Sequence, residues 1–390
     1  MQLLESRRPS VADFRPMVEA LRNPRLQGFG TTVFAEMSAL ALRTGAVNLG
    51  QGFPDTDGPR EVAEAAAHAC LHGPNQYPPG LGQAGLRRAV AEHQQRFYGL
   101  AYDSDTEVLI TAGATEAIAG AMFGLCDHGD EVITFEPTYD SYAATIAMAG
   151  ATKRVILLRS PEHELDVDAL RAALSPRSRL ILLNTPHNPT GKVFTRAELE
   201  AIAAVAIERD LIVVSDEVYE HMVFDGEHLP IAGLPGMRER TITIGSAGKT
   251  FSFTGWKVGW VTAPQPLRDA VMVAKQFLTY VNAAPLQPAV EVGLGLSDAY
   301  FTGLRDDLLE KRDRLQRGLS EIGFDVLHTQ GTYFLTADIR AVAARTGLPD
   351  SSIEFCLSLP EAAGVVAVPS EVFYTTREAG RTLIRFAFCK

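Results

Sequence analysis

Asp216, Tyr219 and Lys249 are the residues from which a reaction could be built. The acid directly follows the apolar run LIVVS, the tyrosine comes three positions later, and the lysine lies in SAGK after a further β-rich run. A lysine amine condenses with carbonyls, a carboxylate beside a ring nitrogen keeps that nitrogen protonated, and a phenol or carboxamide can donate to a phenolate oxygen. Tyr219 and Asn188 are suited to that last task. Taken singly, Asp216 reads as a helix cap or ion-pair partner and Lys249 as a solvated loop lysine. Their joint order at strand ends, with a cationic phosphate-binding patch, is what pyridoxal phosphate requires.

Two better-known phosphate motifs fail on context. Gly80-Leu81-Gly82-Gln83-Ala84-Gly85 fits the dinucleotide pattern, but Tyr77-Pro78-Pro79 precedes it, and consecutive prolines deny a buried strand its amide donors. Its glycines are expected to serve a turn before a helix over Arg87–Phe97. Gly248-Lys249-Thr250 resembles the end of a P-loop, yet the first glycine would fall at Thr243. Cys70, Cys126, Cys356 and Cys389 are too dispersed for a zinc site or a disulfide framework, so no metal is expected.

The elements that must position the chemistry alternate through the middle of the chain. β-Rich runs fall at Val108–Ala112, Glu131–Phe135, Arg154–Leu158, Leu180–Asn184, Leu211–Ser215, Thr241–Gly245 and Val258–Ala263. Helical patterns at Thr115–Cys126, Ser141–Gly150, Asp166–Leu174 and Arg196–Glu208 separate several of them. Runs apolar on both faces, LILLN and LIVVS, imply buried strands covered by helices on each side, hence an α/β fold with a mainly parallel sheet. Ligands bind such sheets at the strands' carboxyl ends, which singles out Gly113-Ala114-Thr115, Asn184–Asn188, Asp216–Tyr219 and Ser246–Lys249. A long helical stretch over Gln287–Glu321 then leads to a smaller α+β portion. With 46% hydrophobic and 21% charged residues, the chain of 390 is no disordered protein. Its net charge of −11 argues against a nucleic-acid partner. The first thirty residues lack an apolar leader segment and no apolar run suits a membrane span, so a cytoplasmic protein is expected.

The chain resembles the fold-type I pyridoxal-phosphate aminotransferases of class I and II. The resemblance runs from Phe34 to Lys390 and rests on NLGQGFPD, NQYPPGLG, GATEAI, NTPHNPTG, SDEVYE, SAGKTF, TGWKVGW, GTYF and IRFAF. Within that family it is most similar to the kynurenine and methionine subgroup, especially the actinobacterial N-succinyldiaminopimelate branch. The resemblance implies a seven-stranded large domain over 61–285, an N-terminal arm and part of the small domain over 1–60, and a linking helix with the C-terminal small domain over 286–390.

Carried over by resemblance, Lys249 is the Schiff-base lysine and Asp216 the pyridinium partner. Lys257 stands where many relatives have arginine and clamps the cofactor phosphate, with Ser246, Ala114 and Thr115 beside it. Tyr139 stacks on the ring. Asn188 and Arg385 grip the substrate α-carboxylate, Gly52 allows close backbone approach, and Phe34 forms an aromatic wall. Tyr77 reaches the phosphate site of a partner subunit, so the active sites of a homodimer are shared. Asn282 replaces a phenylalanine of some relatives, and the chain stops at Lys390 ahead of a final helix they usually append, which leaves trimming open. The implied activity is ping-pong transamination from an L-amino acid to a 2-oxo acid, the donor being N-succinyl-LL-diaminopimelate, methionine, kynurenine or an aromatic amino acid. The same cofactor residues also fit β- or γ-elimination, replacement or carbon–carbon bond formation. A cofactor-sensing regulator would need a DNA-binding module, for which only some thirty residues precede Phe34.

Overall fold

The computed structural model describes residues 21, 23–73 and 75–390. The first twenty residues, on which the reading of a leaderless start and part of the 1–60 arm rest, lie outside them. All seven β-rich runs join one sheet: β1 (Val108–Thr111), β2 (Glu131–Glu136), β3 (Thr152–Leu157), β4 (Ser178–Asn184), β5 (Ile212–Asp216), β6 (Thr241–Ser246) and β7 (Gly259–Thr262). Their order is β1-β7-β6-β5-β4-β2-β3. Neighbours run parallel except at β7, which is antiparallel to both β1 and β6.

The doubly apolar strands are explained by what covers them. Leu180 and Leu182 of β4, with Val214 of β5, pack against Ala117, Ile118 and Met122 from α1 (Gly113–Leu125). Ile181 and Leu183, with Val213, face the other way, against Leu199, Ile202 and Val205. These come from α3 (Arg196–Glu208), which follows α2 (Asp140–Met148) in the chain. Each such side chain contributes about 1.5–3 kcal/mol by leaving water, and the period-2 alternation lets one strand serve both layers. α3 starts in a capping box, with Thr195 and Glu198 each bonding the other's backbone N–H.

A second sheet is antiparallel throughout: β8 (Asp325–Val326), β9 (Phe334–Asp338), β10 (Val368–Pro369) and β11 (Leu383–Ala387), ordered β10-β11-β9-β8. Its core joins Leu335, Ala337 and Phe386 to Phe355 of the helix Ser352–Ala363. The expected long helix over Gln287–Glu321 is two helices, Gln287–Leu294 and Asp298–Glu321. Arg96 holds the break by donating to Leu296 O (2.9 Å) and Asp298 Oδ1 (2.9 Å). The two sheets meet at Glu136, the last residue of β2, whose Oε2 accepts from Thr375 N (2.9 Å). No helix among the described residues is long and apolar enough to cross a membrane.

Candidate active site

The carboxyl ends of β4, β5 and β6 open into a cavity of about 360 Å³ at the junction of the sheets. β-Register sets Asn184 beside Asp216, because the last residues of β4 and β5 are paired. Asn184 Nδ2 then donates to Asp216 O (2.8 Å) and its Oδ1 accepts from Asn188 N (2.7 Å), which fixes the turn that carries Asn188.

Asp216 is buried, and Oδ2 accepts from the Tyr142 hydroxyl of α2 at 2.6 Å. Burial raises its carboxyl to about 6, although the Tyr142 hydrogen bond pulls the other way. Lys249 lies one residue inside the end of the short helix Ala247–Thr250 that follows β6. Its Nζ donates to the Tyr333 hydroxyl at 2.7 Å and lies 3.5 Å from Gly52 O. Burial lowers this amine to about 8, with the Arg385 and Lys257 cations adding to the effect and Asp216 opposing it. Tyr219 is packed edge-on against Tyr333, with ring centroids 5.3 Å apart, and burial pushes its hydroxyl up. Tyr139 caps α2 and turns its ring toward Phe34, 6.4 Å away.

One side of the cavity is built on the start of α1. Gly113 opens that helix at φ +75, a conformation that favours glycine, and Ala114 and Thr115 occupy its first turn, where backbone N–H groups lack helical acceptors. Lys257 supplies the cation: its Cε and Nζ lie 3.4 Å from where a Cβ on Gly113 would stand. Ser246, the last residue of β6, lines the same end of the cavity. Arg385 on β11 closes the opposite side. Its Nη1 donates to Asn188 Oδ1 (2.9 Å), its Nη2 to Gly50 O (3.1 Å), and its guanidinium lies 3.9 Å from the Phe334 ring centroid. Among the described residues Nε is buried with no partner and no carboxylate pairs with the guanidinium, and burial brings the group down to about 10. A buried cation in that condition calls for an anion.

Of the thirteen expected site residues, twelve line this cavity and Tyr77 does not. Tyr77 is 81% exposed and packs edge-on against Tyr280. Asn282 also lies off the cavity, where its Nδ2 ties Thr111 O (3.1 Å) to Lys257 O (3.2 Å). Sequence reasoning assigned no role to Tyr142, Asn184, Tyr333 or Phe334. The last three stood inside quoted motifs, and Tyr142 lies three residues after Tyr139, the spacing that puts two side chains on one helix face. One cluster of metal-ligating types occurs among the described residues, His93, Glu220 and His221. Its imidazoles share a 2.7 Å hydrogen bond and burial holds both neutral, with Arg96 adding positive charge nearby.

The donor set fits pyridoxal 5'-phosphate: an amine of lowered basicity, a buried carboxylate for the ring nitrogen, and a helix N-terminus with a lysine for the phosphate. The strand order and this cavity define a pyridoxal-phosphate enzyme of fold type I. The chain belongs to the aminotransferase class I and II family, whose profile matches residues 44–389. It is 53% identical to N-succinyldiaminopimelate aminotransferase from Mycobacterium tuberculosis, whose solved structure superposes with a TM-score of 0.91, covering 95% of this chain and 96% of that one. It is 41% identical to the methionine aminotransferase of Escherichia coli (96% of this chain, 95% of that protein). Against human kynurenine–oxoglutarate transaminase 3 the identity is 40%, over 81% of this chain and 74% of that protein. The protein is therefore a pyridoxal-phosphate-dependent aminotransferase, acting between an amino acid and a 2-oxo acid. The elimination and bond-forming alternatives gain no support from these relatives.

Proposed function

We propose that the chain transfers the amino group of N-succinyl-LL-diaminopimelate to a 2-oxo acid such as 2-oxoglutarate, working as a cytoplasmic homodimer with shared sites. The donor is chosen on the 53% identity that spans nearly the whole of both chains, with methionine the competing donor. The observation that carries the site assignment is Arg385: a buried guanidinium with an unpartnered Nε, facing the same cavity as Lys249 and Asp216, is suited to an α-carboxylate.

When bound, pyridoxal phosphate supplies an aldehyde that joins amines as a Schiff base and a ring that draws electrons from Cα. The chain's own groups do the rest. Lys257, Ser246 and the first turn of α1 hold the phosphate, and Tyr139 covers one ring face. Asp216, steadied by Tyr142, holds a proton on the ring nitrogen, while Tyr219 and the amide N–H of Asn188 donate to the phenolate oxygen. Arg385 and Asn188 orient the substrate carboxylate, with Phe34 and Gly52 shaping the space beside it. Lys249, its amine brought down to about 8 by burial, takes the proton from the substrate Cα, the kind of transfer that contributes about 10²–10⁴ in rate. Free thiols at all four cysteines suit a reducing cytoplasm.

The donor is tested by single-turnover mixing of the loaded enzyme with N-succinyl-LL-diaminopimelate, methionine or kynurenine, following loss of the visible cofactor band. The succinylated donor should react fastest. Methionine reacting about tenfold faster would overturn the choice, since pocket contacts of about 1–3 kcal/mol each set that ratio.

A further inference from the structure

We infer that Tyr333 is the positioning residue that aims the lone pair of Lys249 at the cavity, an inference that rests on Lys249 being the cofactor lysine. The Tyr333 hydroxyl has Gly52 O at 2.5 Å and Lys249 Nζ at 2.7 Å, with the Tyr219 hydroxyl as a further neighbour. Gly52 O is a carbonyl and only accepts, so at 2.5 Å the single hydroxyl proton must lie between the two oxygens. The contact with Lys249 is then Nζ–H donating to a tyrosine lone pair. One amine hydrogen is thereby fixed on Tyr333; with the second turned toward Gly52 O, 3.5 Å away, the lone pair takes the remaining position, toward the cavity that Lys249 lines.

The surroundings hold this relay rigid. Tyr333 is fully buried, its ring lies 4.8 Å from Phe334 and 5.3 Å from Tyr219, and Phe388 N donates to Tyr333 O (2.9 Å). Gly52 cannot be other than glycine without displacing these rings, because a Cβ there would stand 2.5 Å from Phe334 Cζ. A neutral oxygen acceptor also binds an ammonium more strongly than an amine, so the Tyr333 bond opposes the burial that lowers Lys249. Removing the acceptor should lower the amine further and free it to turn.

The test reads Lys249 directly in the full chain stripped of cofactor. Its rate of condensation with added pyridoxal phosphate is measured against pH, and affinity for pyridoxamine phosphate, which cannot condense, reports whether the site is intact. Wild-type capture should reach half its maximum near pH 8. Tyr333→Phe should move that midpoint down by about half a pH unit or more and slow capture by about tenfold, with pyridoxamine phosphate affinity within about twofold. An unmoved midpoint and rate at intact affinity would overturn the assignment. Should the phenylalanine variant lose pyridoxamine phosphate binding, 4-aminophenylalanine at position 333 replaces it, keeping a donor for Gly52 O but offering Lys249 almost no acceptor. The same downward shift is expected, and an unshifted midpoint refutes the role. Borohydride reduction of the loaded wild type followed by peptide mapping separates the two readings. A label on Lys257 overturns the lysine assignment and the inference with it, whereas a label on Lys249 with no shift in the variants removes Tyr333 alone.

Discussion

Because burial holds the Asp216 carboxyl near 6, against 3.8 for an ordinary aspartate, ionising it works against folding in the cofactor-free chain. The folded pKa is the higher one, so its favourable contribution is full below about pH 4 and is lost as pH rises through 6. The loss is on the order of 3 kcal/mol once both states are ionised. Asp216→Asn removes the charge while keeping an oxygen for the Tyr142 hydroxyl. Without cofactor, that variant should melt higher than wild type at about pH 8, with the gap closing toward about pH 4. Loaded with cofactor it should lose turnover by about two orders of magnitude or more, since the amide does not hold the ring-nitrogen proton. Melting curves at the two pH values decide the first point, and a variant less stable than wild type at the higher pH would show that the ionised carboxylate is not a burden.

At the scale of elements, the sequence exposes strands through LILLN and LIVVS because both of their faces need partners, and all seven runs lie in the sheet. Asp216 proves to be the last residue of its strand rather than the first of the following turn. The break at Gly295–Ser297 escaped notice because the helical pattern continues on both sides, and the Arg96 grip that fixes it comes from some two hundred residues earlier. Tyr142 and Tyr333 carried a local signal but no assigned partner for the same reason, since the groups they hydrogen-bond, Asp216 and Lys249, are remote in sequence. Close approach of β7 to the start of α1 was equally hidden: a Cβ on Gly259 would stand 2.7 Å from Gly113 C and 2.9 Å from Ala114 N. Gly259→Ala should therefore push the turn proposed to hold the phosphate outward without altering a single polar side chain. An increase of about tenfold in the cofactor dissociation constant is expected, on the scale of one lost charge-assisted hydrogen bond. Fluorescence titration measures it, and unchanged affinity would show that the turn tolerates displacement.

At the scale of the molecule, Tyr77 has no task in its own chain's cavity, yet it is held in place. Lys275, itself buried, donates to Gly80 O (3.0 Å) and Tyr280 O (2.9 Å), tying the Tyr77 loop to the segment that carries Phe277 and Tyr280. These three aromatic residues are exposed, at 81%, 82% and 54%, on two segments joined by one buried amine. Exposed apolar surface on ordered loops suits an interface between chains, and a two-fold axis would present each loop to its mate reciprocally. We propose that Tyr77 completes the partner's phosphate site, so that lesions on different chains complement one another. Tyr77→Ala and Lys249→Ala chains, each inactive alone, should recover on mixing: half of the dimers are mixed, both lesions fall in one site of each, and about a quarter of wild-type activity returns. Subunit exchange is followed independently with differently tagged chains. With exchange complete and Tyr77→Ala severely impaired, a mixture that stays inactive would place Tyr77 in the service of its own subunit.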